Sequence, residues 1–120
     1  MALSVLVVDD DPTFLSLAAR ILEGIGVEVV ATAQDAEAAI TAAQATRPQA
    51  ALVDVGLPYG DGIALAHELA ALPSGPRVVL TSTDRDAVSG LDARDGRGSL
   101  PFLPKEELAN AHLRRLLLAR

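Results

Sequence analysis

The sequence predicts a single α/β domain built on an open, doubly wound parallel sheet. Three observations carry this prediction. Five short apolar runs alternate with five helical patterns, the connections between them are short, and 120 residues are about half of what a closed eight-unit barrel needs. No internal linker interrupts the alternation, so residues 1–120 are expected to form one domain.

Leu3 to Val8 is an unbroken apolar, β-branched run, the pattern of a strand buried on both faces. Asp9-Asp10-Asp11-Pro12 stops it. Asp11 is placed to cap the next helix, and Pro12 suits the first helical position, where its missing N–H has no partner to lose. Phe14, Leu17, Ala18, Ile21, Leu22 and Ile25 then recur at helical spacing, with Gly24 and Gly26 as the stop. Val27 to Ala31 reads as a second strand, and Asp35 to Ala45 as an alanine-rich helix with Pro48 beyond its end.

The unit then repeats. Ala50 to Val53 is a third strand that ends in Asp54 and the turn Gly56-Leu57-Pro58-Tyr59-Gly60-Asp61-Gly62. Ile63 to Leu72 returns to helical spacing before Pro73-Ser74-Gly75-Pro76 breaks it. Arg77 to Leu80 is a fourth strand, ending in Thr81-Ser82-Thr83. Asp84 to Ala93 is a weak helix candidate, because Asp92, Asp95, Gly96 and Gly98 have poor helix propensity or favour turns. Leu100 to Leu103 makes a short last strand interrupted by Pro101, and Lys105 to Ala119 a strong closing helix.

Composition removes whole chemistries. With no cysteine there is no disulfide, thiolate zinc site or cysteine nucleophile, and two separated histidines cannot build a metal cage. The longest apolar runs, such as Val5 to Val8 and Leu116 to Ala119, fall far short of the roughly 20 residues of a membrane span. No basic region precedes the first apolar run, and acids follow it at once, so a secretory signal is not expected and the protein is placed in the cytoplasm. Sixteen acids against ten bases give a net charge of -6, which repels a phosphate backbone. Arg114-Arg115, the only adjacent basic pair, sits near a helix end where cations meet the dipole favourably, and only Phe14, Tyr59 and Phe102 could stack on bases. Neither direct nucleic-acid binding nor membrane contact is expected.

In an open α/β sheet the ligand site lies beyond the carboxyl ends of the strands. Asp9, Asp10, Asp54, Thr81 and Lys105 all fall there, and Lys105 is the only lysine in the chain. An acid directly after an apolar strand, as at Asp54, is disfavoured unless paired or liganded. Three carboxylates in one site repel one another unless a divalent cation neutralises them, and magnesium, with its oxygen ligands and retained waters, fits best. Three carboxylates, one divalent cation and one ammonium sum to zero. Each residue also has a duller reading: Asp9 and Asp10 as turn residues, Asp11 as an N-cap, Thr81 as a strand end, Phe102 as core, Lys105 as a helix start. His67 and His112 are read as ordinary surface or boundary residues.

Four segments together resemble the receiver domain of two-component response regulators over essentially the whole chain. They are Val7-Val8-Asp9-Asp10-Asp11-Pro12, then Leu52-Val53-Asp54-Val55-Gly56-Leu57-Pro58 with Gly60-Asp61-Gly62, then Val79-Leu80-Thr81-Ser82, then Phe102-Leu103-Pro104-Lys105. The resemblance implies a flavodoxin-like (βα)5 fold with strand order 2-1-3-4-5. It implies that Asp54 accepts a phosphoryl group from the phosphohistidine of a sensor histidine kinase or histidine phosphotransfer domain. Asp9, Asp10, Asp54 and the Gly56 backbone carbonyl would hold Mg2+ or Mn2+, with Asp10 the more direct ligand of the acidic pair and Asp9 acting partly through water. Thr81 and Lys105 would contact phosphoryl oxygens. Thr81 and Phe102 would form the switch pair that remodels the face of the fourth helix, last strand and fifth helix. An output protein or fused effector domain would bind that face, which is also a potential homodimer surface.

The sequence departs from this pattern in three places. Gly56 stands where a larger side chain commonly shields the phosphoryl group, which implies faster or more variable dephosphorylation. Glu106 replaces the proline that often follows the site lysine, so the usual cis peptide is not expected. Asp92 to Ser99 is glycine-rich and charged where the family has a regular fourth helix, which weakens the expectation of output or dimer contacts there.

Two rivals are weighed against it. Asp9-Asp10-Asp11-Pro12-Thr13 also reads as the Asp-x-Asp-x-Thr of a haloacid dehalogenase-type phosphohydrolase, using Asp9 and Asp11 with Thr81 and Lys105. That family's late acid motif and cap domain are missing, and Asp54 goes unexplained. A non-phosphorylated pseudo-receiver acting only as an interaction module is the other rival, against which the intact acidic pair, threonine and lysine stand. A methionine start and a helix finishing at Arg120 fit a stand-alone receiver and equally one excised from a longer regulator.

Overall fold

The computed structural model describes residues 3–57, 62–82, 102–105, 108 and 117. Along the chain run β1 (Leu3–Val8), α1 (Pro12–Gly24), β2 (Val27–Ala33), α2 (Ala36–Thr46), β3 (Ala50–Asp54), α3 (Gly62–Ala70), β4 (Arg77–Ser82) and β5 (Phe102–Pro104). The five strands form one parallel sheet in the order β2-β1-β3-β4-β5, the expected flavodoxin-like arrangement. Such an order follows from right-handed crossovers wound in two directions from β1.

Strand alternation divides the core into two layers. Val5, Val7, Ala50, Leu52, Val79 and Leu103 point to one face and pack with Phe14, Leu15, Ala18 and Leu22 of α1, and with Leu108 and Leu117. Leu6, Val8, Ala51, Val53, Val78 and Leu80 point to the other and meet Ala39 and Ala43 of α2 and Leu65, Ala66 and Leu69 of α3. Both faces being covered is why β1, β3 and β4 read as continuous apolar runs. Hydrogen bonds through Gln49 join the opposite end of the sheet. Ser4 N–H donates to Gln49 Oε1 at 3.0 Å, Gln49 N–H to Ser4 Oγ and O at 3.0 Å each, and Arg77 N–H to Gln49 O at 2.9 Å.

Several boundaries differ from the sequence expectation. β2 continues two residues past Ala31, because pairing with β1 (Val7 with Thr32, Val8 with Ala33) carries an exposed Thr32 into the strand. Between Val5 and Leu6 the register slips, leaving Val30 without a partner opposite it on β1. α2 starts after Asp35, which caps it by accepting from Ala38 N–H at 2.8 Å, and ends at Arg47 with φ 47°. α3 begins at Gly62 and stops at Ala70. Leu72 N–H instead bonds Leu69 O in a tightened turn, followed by Gly75 at φ 55°. β4 runs on through Thr81 and Ser82, since Asp54 and Pro104 give them partners in register.

β5 spans Phe102–Pro104, one residue later than expected at its end. On α1 the inward stripe is Phe14, Leu15, Ala18 and Leu22; Leu17 falls outside this arc and is 50% exposed. The fourth-helix candidate Asp84 to Ala93, the segment Asp92 to Ser99, His112, Arg114-Arg115 and the Lys105–Glu106 bond lie outside the described residues. The closing helix is described only at Lys105, Leu108 and Leu117. Among the described residues no helix is long and apolar enough to cross a membrane.

Candidate functional site

All five strands point the same way, so their carboxyl ends share one rim. The parity that sends Val5 and Val7, Leu52, Val79 and Leu103 to the α1 face sends Asp9, Asp54, Thr81 and Lys105 in the same direction at that rim. These four side chains are thereby brought to one place from four strand ends.

Asp9 follows β1 directly and is fully buried. Its N–H donates to Ala33 O at 3.0 Å, extending the sheet pairing by one bond, while its Oδ1 accepts from Asp11 N–H at 2.9 Å. Asp54 ends β3 with Thr81 beside it in register, and Val55 N–H donates to Thr81 O at 3.0 Å. Asp54 Oδ1 accepts from Gly56 N–H at 3.1 Å, which turns the chain and fixes the carboxylate plane. Lys105, just past β5, forms an ion pair with Asp9 Oδ2 and stands 3.6 Å from Asp54 Oδ2. Its ammonium also lies 4.4 Å from the centre of the Phe14 ring.

Burial pushes the Asp9 carboxyl above its usual range. The Lys105 ammonium and the Asp11 N–H pull the other way, and the charge on Asp54 adds to the rise. For Lys105, burial acts to lower the pKa, but the bond to Asp9 and the attraction of Asp54 outweigh it, so the ammonium is held charged above its ordinary range. Among the described residues Asp9 Oδ2 has no polar partner besides the Lys105 ammonium that pairs with it. Asp9, Asp10 and Asp54 each offer an oxygen within 4.8 Å of the others. Three hard oxygen donors, one of them from the fully buried Asp9, match the ligand preference of a divalent cation such as Mg2+.

Asp10 is exposed at the mouth of this cluster. Thr81 is buried, and Ser82 beside it points to the other face of the sheet. Phe102 sits opposite Leu80 rather than Thr81 and packs, half-buried, against the α2–α3 layer. It is therefore a diagonal neighbour of Thr81 and not a wall of the carboxylate cluster. Asp11 is spent on helix capping, accepting from Thr13 N–H at 2.9 Å from an exposed position.

Two residues were not singled out from the sequence. Phe14 carried only the signal of an apolar helix position. Gly62 was one turn glycine among three, yet a Cβ there would lie 2.0 Å from Asp54 O and 2.7 Å from Val55 Cα, so only glycine lets α3 start this close to the end of β3.

The chain is similar to known proteins over nearly its whole length. The model of the response regulator receiver domain matches residues 5–115. DNA-binding response regulator MtrA of Mycolicibacterium smegmatis is 39% identical over 113 residues, covering 92% of this chain and 49% of that protein. A protein-glutamate methylesterase/protein-glutamine glutaminase of Vibrio parahaemolyticus is 35% identical over 108 residues, 88% of this chain and 29% of that protein. The chain therefore spans half or less of these relatives. Among solved structures, the signal receiver domain of the protein assigned as response regulator NarL in Mycobacterium tuberculosis superposes with a TM-score of 0.76 at 30% identity, covering 96% of each chain.

Proposed function

The chain belongs to the response regulator receiver domain family, and from that premise we propose that it is a phosphorylation-dependent signalling switch with Asp54 as phosphoacceptor. The observation that carries this is the convergence of Asp9, Asp54, Thr81 and the only lysine from four strand ends, with the Asp54 carboxylate held between Gly56 N–H and Lys105.

In this mechanism Asp54 Oδ attacks the phosphorus of a phosphohistidine or small phosphodonor. The bond from phosphorus to the leaving group breaks, that group takes the electron pair, and an acyl phosphate forms on Asp54. Lys105 pairs with one phosphoryl oxygen, and the Thr81 hydroxyl donates to another. Asp9, Asp10, Asp54 and the Gly56 carbonyl would hold Mg2+ or Mn2+, which supplies positive charge against the crowded carboxylates and phosphoryl oxygens. Alignment and charge stabilisation then do most of the catalysis, as expected for phosphoryl transfer. Residues 1–120 act as one domain in the cytoplasm. The chain receives its phosphoryl group from a sensor histidine kinase or phosphotransfer domain and passes the change to an output protein or fused effector domain. Thr81 and Phe102 couple the site to that output face, which is also the candidate homodimer surface. Its net charge of -6 makes direct nucleic-acid contact by this chain unfavourable.

Intact-mass spectrometry after incubation with Mg2+ and acetyl phosphate tests the assignment. Wild type is expected to gain one phosphoryl adduct that needs Mg2+, and Asp54→Asn none. A folded wild type that takes no adduct from this donor or from a panel of phosphorylated kinases would point instead to a passive interaction module.

The lifetime of the adduct is the next expectation. A Cβ at position 56 would sit 3.6 Å from Asp54 Oδ1 and 3.8 Å from Oδ2, ordinary contact distances with no clash. Gly56→Met should therefore fit, cover the acyl phosphate and slow its hydrolysis by about tenfold, equivalent to ~1.4 kcal/mol of barrier. Decay of the adduct followed by mass at equal rates in both proteins would count against shielding at this position.

A further inference from the structure

We propose that Phe14 is a positioning residue for phosphoryl transfer, its ring face holding the Lys105 ammonium in place between Asp9 and Asp54. The role rests on the phosphoacceptor reading above and deepens it.

Lys105 reaches the site on a four-carbon stem whose rotamer freedom would normally let the ammonium swing into water. Here it is only 15% exposed, paired with Asp9 on one side, 3.6 Å from Asp54 on the other, and 4.4 Å from the Phe14 ring centre. Phe14 is itself 8% exposed and locked among Leu15, Ala18 and the strand residues of the α1 layer. Its place in the first turn of α1 is set by the Asp11 cap and by Pro12 at the helix start. The ring is therefore a fixed platform and the ammonium the mobile partner.

Chemistry favours an aromatic platform over an acid here. When a phosphoryl group arrives on Asp54, Lys105 must exchange carboxylate contacts for a phosphoryl oxygen. A third acid beneath it would compete for the ammonium and add charge to a cluster already holding three carboxylates. A ring face attracts the cation through its quadrupole, uses no hydrogen bond and imposes no fixed direction within the ring plane. The ammonium can then shift between oxygens while one side stays supported.

Because Lys105 is the only lysine, its side-chain methylene resonances report on this contact directly. In wild type they should be moved upfield by the Phe14 ring. In Phe14→Leu, which keeps an apolar side chain in the core, they should return to ordinary positions. The maximal rate of phosphorylation by acetyl phosphate with Mg2+ should then fall roughly three- to tenfold, the range a partly desolvated cation–ring contact represents. The half-saturating donor concentration should stay nearly unmoved. Phe14→Tyr, which keeps the ring, should retain both the shift and most of the rate.

Ordinary Lys105 resonances in wild type would overturn the inference without any variant, as would a folded Phe14→Leu that phosphorylates like wild type. A wild type with shifted resonances that takes no phosphoryl group would instead overturn the phosphoacceptor reading, and the role of Phe14 with it.

Discussion

Gly62→Ala is expected to destabilise the domain by about 3 kcal/mol, the upper part of the range for overpacking a rigid site. In most helices this exchange is stabilising, because alanine loses less backbone freedom on folding. The sign reverses here because all three close neighbours of the added methyl are backbone atoms: Asp54 O at 2.0 Å, Val55 Cα at 2.7 Å and Asp54 C at 2.9 Å. No rotamer change relieves such contacts, so α3 or the end of β3 must move. Thermal or urea unfolding measures the loss, which should lower the midpoint by roughly 10 °C for a domain of this size. Gly24→Ala, with nothing within 4 Å of the new methyl, is the matched control and should be neutral or mildly stabilising. Movement of β3 also displaces Asp54, so phosphoryl incorporation should fall in Gly62→Ala even at temperatures where it remains folded. A Gly62→Ala protein as stable as wild type would mean that the two elements are not clamped this tightly.

The second large effect couples pH to divalent cation. Burial raises the Asp9 pKa above its ordinary value of 3.8, so the folded protein binds that proton more tightly than the unfolded chain does. The resulting stability is fully present below pH ~4 and is lost as pH rises through the raised value. Lys105 behaves differently: its raised pKa gives stability that persists below 10.5 and disappears only in more alkaline solution. At the cation site proposed above, Mg2+ would take the place of that proton, so its binding should strengthen as Asp9 ionises. The rise in melting temperature on adding Mg2+ should be small at pH 4 and grow towards pH 8. It should correspond to about 2.7 kcal/mol when the cation is at a hundred times its dissociation constant. Asp9→Asn should make the metal-free protein more stable at pH 7 and shrink the Mg2+ increment. An increment that does not change with pH would remove Asp9 from the cation site.

How far these features were legible in the sequence depends on what determines each of them. The central strands were legible because burial on both faces writes itself as unbroken apolar runs, as at Leu3 to Val8. The end of β2 was not, because on an edge strand hydrogen bonding to β1 decides the boundary, and Thr32 carries no apolar signal. Leu17 looked as apolar as Leu15, and only the packing of α1 against the sheet separates the buried leucine from the exposed one. The meeting of Asp9, Asp54, Thr81 and Lys105 follows from two local facts, the parallel direction of the strands and the parity of each residue. The seating of Lys105 on Phe14 joins residues far apart in sequence, and nothing local at Phe14 distinguishes a platform from a core residue. Gly62 was visible as a turn glycine, but the demand placed on it comes from the backbone of another element.

The unpartnered Val30 bears on how the protein behaves when crowded. β2 is an edge of the sheet, and the outer row of amide groups on an edge strand is a template for a strand from another molecule. An extra residue on one strand of a pair twists that strand locally and breaks the regular spacing of its amides. At Val30 this divides the seven residues of β2 into two runs of three, with the charge of Glu28 exposed on the first. Stacking into a cross-β fibril calls for an uninterrupted segment of about six residues. Neither run reaches that length, so the misfit at Val30 makes this edge a poorer template for such stacking.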